Sequence, residues 1–367
     1  MRTFSKASAP AGAKTMDAAW YVDAEVFERE RERIFGRSWI CIAHVRDLDE
    51  PGSFVTATIA GESLIVTRDS TRRVRAFYNV CRHRGTRMCE AERGVFKGSI
   101  QCPYHAWTYG LDGTLLAARN MEDTAGFHKS EYPLKEAAAH VFEGFLFVSL
   151  EPDRPFDAAF APLAGRFGAW NAGALQRAAR IEYDVRCNWK LAFQNYSECY
   201  HCPVIHPQLE RLSPSESGRN DLFEGPFLGG YSELREGRTT LANAERTRDA
   251  LPGVTGADLG RVYYYTIFPS LLLSLHPDYV MAHYVQPLAP NRTRIACEWF
   301  FDPQAMNNPE FESASAVEFW DLTNRQDWHV SELTQLGLSS RAYVPGPYSA
   351  QEGLLHAFDR HYLQLMS

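Results

Sequence analysis

Two short ligand pairs constrain this chain more than any other feature of its sequence. Cys81 and His83 stand in CRH, and Cys102 and His105 stand in CPYH. The pattern is C-x-H, a gap of 18 residues, then C-x₂-H. Two thiolates and two imidazoles arriving as two local pairs make a four-ligand metal site. Gly85 follows the first pair and Pro103 lies inside the second, residue types that suit turns between strands. The fold must bring these two turns to one point around a buried ion or cluster.

The mixture within each pair narrows the choice of metal. Zinc fingers usually pair Cys with Cys and His with His. Here each pair holds one of each. A Rieske [2Fe–2S] centre needs that mixture, with two Cys on one iron and two His on the other. The imidazoles raise the potential of such a centre relative to an all-Cys ferredoxin, so it accepts electrons readily.

A second constellation lies in NWKLAFQNYSECYHCPVIHPQ, residues 188–208. The spacing predicts a helix over 188–202, with Glu198 and His201 three apart on one face. His201 and His206 are five apart, about 500° of helix, so an unbroken helix cannot aim both at one ion. Pro203 is expected to kink the helix and swing His206 back. Two imidazoles and one carboxylate form the facial triad of a non-haem Fe(II) oxygenase. The bland alternative is a pair of capping or core histidines. An electron-supplying cluster elsewhere in the chain weighs against it. The carboxylate must come from another element, and a predicted helix over 315–337 carries Asp321 and Asp327. Asp327 lies seven residues after Trp320 and shares its apolar face, while Asp321 is turned about 100° away. Spacing favours Asp327 without deciding the matter.

Composition bounds the remaining classes. The 367 residues carry a formal charge of −7, which gives nucleic acid or an anionic membrane nothing to hold. It suits a basic electron-transfer partner. No run approaches the roughly 18 apolar residues of a bilayer span. The first 14 residues lack an apolar leader and read as a mobile tail, which points to the cytoplasm. The eight cysteines are too sparse for a disulfide scaffold and suit a reducing compartment.

Residues 23–35 read as a short amphipathic helix. Short alternating runs follow from Trp39 to Leu150, including FVTATI, SLIVTR and FLFVSL, punctuated by Gly and Asp. Beyond a Pro-containing stretch, strands are predicted at 180–187, 261–268, 270–276, 279–287 and 292–301. The polar region 211–260 is expected to be loops or a mobile lid.

Taken together, the chain resembles the catalytic α subunit of a Rieske non-haem iron oxygenase. CRHRG (81–85), CPYHAWTY (102–109), residues 188–207 and NRQDW (324–328) carry the resemblance. It implies an α+β fold, a Rieske β-sandwich joined to a helix-grip, START-like catalytic domain with a curved antiparallel sheet. The implied divisions are an N-terminal tail and helix at 1–37 packing on the catalytic domain, a Rieske domain at 38–150, and a catalytic domain at 151–367. It implies Cys81, His83, Cys102 and His105 as cluster ligands, and His201, His206 and Asp327 as ligands of mononuclear Fe(II). Asn195 matches an asparagine near that iron. Glu198 matches an acidic bridge to His105 of the partner subunit in a homotrimer. The resemblance further implies O₂ as co-substrate. Electrons would come from NAD(P)H through a separate flavin or iron–sulfur reductase, with or without a ferredoxin.

Glu198 within ECYHC is similar to the branch that includes choline monooxygenase, glycine betaine and stachydrine demethylases and carnitine oxygenase. That implies hydroxylation or N-demethylation of a quaternary ammonium compound. The alternative is hydroxylation of an arene or aromatic acid. A non-enzyme alternative is a START-like binding protein with a structural zinc. Tyr263, Tyr265 and Tyr284 are the expected aromatic lining of the substrate pocket. Arg235, Arg238 and Arg261 are candidates to meet a substrate carboxylate.

Overall fold

The alternating runs between residues 40 and 149 pair as antiparallel strands in the computed structural model, which describes residues 3–243 and 248–367. They are β1 (Ile40–His44), β2 (Ser53–Ile59), β3 (Glu62–Arg68), β4 (Val74–Tyr78) and β5 (Arg93–Val95). β6 (Ser99–Gln101), β7 (Thr108–Gly110), β8 (Leu115–Ala117), β9 (Glu136–Phe142) and β10 (Phe145–Ser149) follow. One sheet has the order β1-β10-β9-β4-β3-β2-β5 and a second the order β6-β7-β8. Two hairpins set the registers. Ala60 and Gly61 have φ of +50° and +87°, and Glu143 and Gly144 have +49° and +86°. Two successive positive values give the twist that a two-residue hairpin needs. Phe54, Ile65, Phe77, Ile100, Trp107 and Tyr109 fill the core together with Cys81 and Cys102.

These strands belong to a compact unit of Arg31–Phe160; the second unit comprises Met1–Glu30 and Ala161–Ser367. The joints fall at 30/31 and 160/161, against 37/38 and 150/151 in the sequence reading.

The second unit is built on β11 (Gln176–Val185), β12 (Arg219–Leu222), β13 (Phe227–Glu233), β14 (Arg261–Ile267), β15 (Leu271–Leu275), β16 (Val280–Ala289) and β17 (Arg292–Phe301). They form one curved antiparallel sheet in the order β11-β17-β16-β15-β14-β13-β12. The long helix Ala314–Leu338 lies against it. Its buried positions, Ala316, Phe319, Trp320, Thr323, Asn324, Trp328, Ser331, Gln335 and Leu338, recur at helical spacing. Polar contacts fix its rotation. Trp320 Nε1 donates to Tyr279 Oη at 2.7 Å, and Tyr183 Oη donates to Asp321 Oδ1 at 2.8 Å.

Two expectations need correction. Residues 3–15 are tied down and do not form a free tail. Ser5 exchanges two backbone hydrogen bonds with Asn220 on the open edge of β12, at 2.9 and 2.7 Å. Thr15 donates its backbone N–H to Gly346 at 2.9 Å. Both contacts satisfy backbone groups that would otherwise need water. The region 211–260 is not wholly loop either, because β12 and β13 lie within it. Their Gly-rich and polar residues mask the strand pattern. Residues 244–247 of that region, like residues 1–2, lie outside the described residues.

Candidate functional site

Cys81 and Cys102 head two loops with the same backbone hydrogen-bond pattern. Cys81 N–H donates to Thr86 O at 2.8 Å, and Gly85 N–H donates back to Cys81 O at 3.0 Å. Cys102 N–H donates to Trp107 O at 2.8 Å, and Ala106 N–H donates back to Cys102 O at 3.1 Å. The fifth residue of each loop is left-handed, Gly85 at φ +73° and Ala106 at +56°. Each loop turns sharply enough to present a Cys and a His to one side. The His83 and His105 rings lie 4.7 Å apart, and His83 stacks on Trp107 at 4.9 Å. The Cys81 sulfur lies 3.4 Å from Tyr109 Oη.

Without a bound group, the Cys81 and His83 side chains are both held neutral here. Burial pushes the Cys81 thiol up, and burial with nearby His105 and Arg84 pulls His83 down. His83 Nδ1 is buried with no hydrogen-bond partner. Two soft thiols and an orphaned imidazole nitrogen fit an iron–sulfur cluster, which would engage all of them.

The second group lies in the other unit. Helix Trp189–Tyr196 stops earlier than the sequence suggested, so Glu198 and His201 do not share a helix face. The Glu198 carboxylate accepts the backbone N–H of Tyr200, and that of His201 at 3.3 Å. This local bonding competes with continued helix. His201 then precedes the short helix Cys202–Ile205, where Pro203 sits in the first turn and kinks nothing. His206 separates that helix from helix Pro207–Leu212 with φ −120° and ψ +60°. The break between these short helices, in place of a kink, brings the two imidazoles together. Cys199 and Cys202 bracket His201 and form a disulfide, where the sequence reading had none.

His201, His206 and Asp327 offer ligand atoms that all lie within 4.8 Å of one another. Asp327 Oδ1 is 2.7 Å from His206 Nε2 and 3.2 Å from His201 Nε2. Asp321 is engaged elsewhere, with Tyr183 and Arg325. The remaining ring nitrogens are also held. His201 Nδ1 lies 2.6 Å from Glu198 Oε1, and His206 Nδ1 lies 2.8 Å from Gln326 Oε1. Burial alone would lower the His201 pKa, but Asp327 and Glu198 raise it to about 10. Half-buried Asp327 is held below the usual carboxylate range by the two imidazoles, against the opposing effect of desolvation. The group therefore attracts a cation, and its donor set of two nitrogens and one oxygen fits iron. Gln326 was missed in the sequence; its one signal is its place beside Asp327.

A cavity of about 320 Å³ opens beside this group and is also bordered by Asn195 and Glu198. The sheet contributes Leu228 and Gly230 from β13 and Tyr264 and Thr266 from β14. Gly230 pairs with Tyr264, and Leu228 with Thr266, so these residues share one face. Trp320 and Tyr196 complete an aromatic wall, with ring centroids 6.3 and 6.1 Å from Tyr264.

Tyr263, Tyr265 and Tyr284 are absent from the cavity wall, contrary to expectation. The registers put all three on the opposite face of the sheet. There Tyr263 packs on Trp170 at 5.2 Å and Tyr265 on Phe167 at 5.2 Å. Their hydroxyls donate to Asp258 at 2.6 Å and Asp221 at 3.0 Å. Arg235, Arg238 and Arg261 do not border the cavity either.

Both groups fall within domains that match known families. Residues 38–132 match the Rieske [2Fe-2S] domain, and residues 172–367 match the ring hydroxylating alpha subunit (catalytic domain). The chain is 37% identical over 342 residues to the carnitine monooxygenase oxygenase subunit of Acinetobacter baumannii, covering 91% of this chain and 88% of that one. It is 29% identical over 366 residues to the glycine betaine monooxygenase oxygenase subunit of Pseudomonas aeruginosa, covering 90% and 83%. The structure of the quaternary ammonium Rieske monooxygenase CntA in complex with L-carnitine superposes with a TM-score of 0.77 at 26% identity, covering 97% and 96%. Among the described residues, no helix is long and apolar enough to cross a membrane. The chain belongs to the Rieske non-haem iron oxygenases, oxidoreductases that join a [2Fe–2S] domain to an iron-dependent catalytic domain of the ring-hydroxylating α-subunit type.

Proposed function

We propose that this protein is the terminal oxygenase of a system that hydroxylates a quaternary ammonium compound. The observation that carries the reading is the wall of the cavity. Tyr264, Trp320 and Tyr196 offer aromatic faces, and Glu198 and Glu216 supply acidic groups around the same space. A methylated ammonium binds such a surface through cation–π attraction. The names of the relatives, carnitine and glycine betaine monooxygenase oxygenase subunits, support the same substrate class.

In this reading Cys81, His83, Cys102 and His105 hold the [2Fe–2S] cluster. His201, His206 and Asp327 hold the mononuclear iron. When bound, these groups supply single electrons and O₂ activation. Glu198 accepts the Nδ1 proton of His201, which leaves the Nε2 lone pair free for the metal. Gln326 does the same for His206. Asn195 borders the cavity beside the triad. One oxygen atom enters a C–H bond beside the cationic nitrogen as hydroxyl; the other leaves as water, with two electrons and two protons consumed. At an N-methyl carbon the resulting carbinolamine releases formaldehyde.

The electrons come from a separate NAD(P)H-dependent flavin or iron–sulfur reductase, with or without a ferredoxin. The working assembly is a cytoplasmic homotrimer in which Glu198 meets His105 of the partner subunit. The test is oxygen uptake by the reduced holoprotein with choline, betaines and carnitine, against benzoate-type and neutral arenes. Uptake coupled to oxidation of the methylammonium compounds is expected. Uptake coupled to a hydroxylated ring would move the protein to the arene-hydroxylating branch.

A further inference from the structure

Lys6, Ala7 and Ser8 border the cavity, and the segment Phe4–Ser8 that carries them is fixed at three points. The Phe4 ring packs against Tyr231, with centroids 4.9 Å apart. Ser5 is bridged to Asn220 by two backbone hydrogen bonds of 2.9 and 2.7 Å. Ala7 and Ser8 lie directly on Gly353, where a Cβ would stand 2.5 Å from the Ser8 nitrogen and 2.6 Å from the Ala7 carbonyl carbon. Only a glycine admits this close approach. Lys6 sits between the anchored residues and borders the cavity.

The charges around the cavity make this position unusual. Lys6 is the one lysine or arginine among the described residues that border it; outside the iron-ligating group, the carboxylates there are Glu198 and Glu216. Lys6 is exposed, and among the described residues no carboxylate stands within ion-pair distance of it. A cavity walled by aromatic and acidic groups suits a cation, but it repels a carboxylate carried on the same molecule. A bordering ammonium with no partner supplies the missing attraction.

We propose that Lys6 pairs with the carboxylate of a zwitterionic substrate, so that the enzyme prefers betaine-type compounds to alcohols such as choline. This inference rests on the quaternary ammonium reading and adds the second half of the substrate. The methylated nitrogen lies among Tyr264, Trp320 and Tyr196, and the carboxylate lies towards the N-terminal segment. A cation that meets its anion at an accessible border contributes to affinity and selection, and its effect is screened by salt.

The test is calorimetric titration of the anaerobic holoprotein with glycine betaine, carnitine and choline, for wild type, Lys6→Gln and Lys6→Arg. Lys6→Gln is expected to weaken binding of the two carboxylates about tenfold and to leave choline within about twofold. Lys6→Arg retains the preference, and about 0.5 M salt narrows it in wild type but not in Lys6→Gln. An equal change for all three ligands in Lys6→Gln, or no change, would overturn the assignment. So would a wild type that binds choline and neither carboxylate, while the ammonium reading stands. A wild type that binds none of the three would overturn both.

Discussion

Glu198 Oε1 lies 2.6 Å from Nδ1 of His201, on the far side of the ring from Asp327. The same carboxylate also caps the backbone N–H groups of Tyr200 and His201. One side chain thus sets the local backbone, the ring orientation and the ring tautomer. Glu198→Ala is expected to keep both metals under saturating iron while electron transfer between them falls about 100-fold. Rapid-mixing spectroscopy of the [2Fe–2S] band measures this. Loss of the mononuclear iron under those conditions would make Glu198 a ligand. His201→Ala, in contrast, should keep the [2Fe–2S] spectrum and form no product.

Gln326 holds His206 as Glu198 holds His201, but without charge. Gln326→Leu removes the acceptor and should weaken iron binding about 10- to 100-fold. Competition with a chelator of known affinity reads the change. Gln326→Glu should restore binding, and an unchanged affinity in the leucine variant would mean that His206 is held by other contacts.

The Glu30–Lys190 pair lies fully inside the second unit. Glu30 accepts from Lys190, from Trp189 Nε1 at 2.8 Å and from Tyr362 Oη at 2.6 Å. It ties the N-terminal helix Ala24–Glu30 to helices Trp189–Tyr196 and Gly353–Met366. Glu30→Ala strands a buried ammonium and should cost about 3–5 kcal/mol in denaturant unfolding. The double change Glu30→Met with Lys190→Met should recover most of that loss.

Asp359 accepts from Gln194 at 2.7 Å and Tyr348 at 2.6 Å, yet burial raises its pKa to about 6. A carboxyl that binds its proton more tightly in the folded chain favours folding most at low pH. Its contribution is present below about pH 4 and falls by about 3 kcal/mol as pH rises through 6. Asp359→Asn removes that slope. Urea unfolding of both proteins from pH 4 to 7 should therefore give a difference that moves in favour of the variant. A constant difference would place the Asp359 pKa near its unfolded value.

Both ligand sets were legible because their information is local. Cys81 with His83, Cys102 with His105, and His201 with His206 are each written within a few residues. The strands β14 to β17 were legible for the same reason, through their alternation. The aromatic wall was not. Alternation separates Tyr264 from Tyr263 and Tyr265, but which face meets the cavity depends on what covers the other one. Phe167 and Trp170 cover that other face, and nothing in VYYYTIF refers to them. Helix Trp189–Tyr196 stops short because a side chain three residues from His201 turns back onto the backbone, a competition that periodicity does not register. The N-terminal segment looked free because its partners, Asn220 and Gly346, lie more than 200 residues away.

The matching loops headed by Cys81 and Cys102 have a consequence for how this domain can vary. Each loop closes on itself through two backbone hydrogen bonds within six residues, so neither relies on the chain between them for its shape. The chain between Thr86 and Cys102 can then lengthen or shorten at its exposed turn at Lys97 and Gly98 while both brackets keep their form. Insertions there amount to changes of upholstery around a fixed frame. The same independence makes the outer edge of that stretch the natural place to graft a tag or a docking peptide without disturbing the metal.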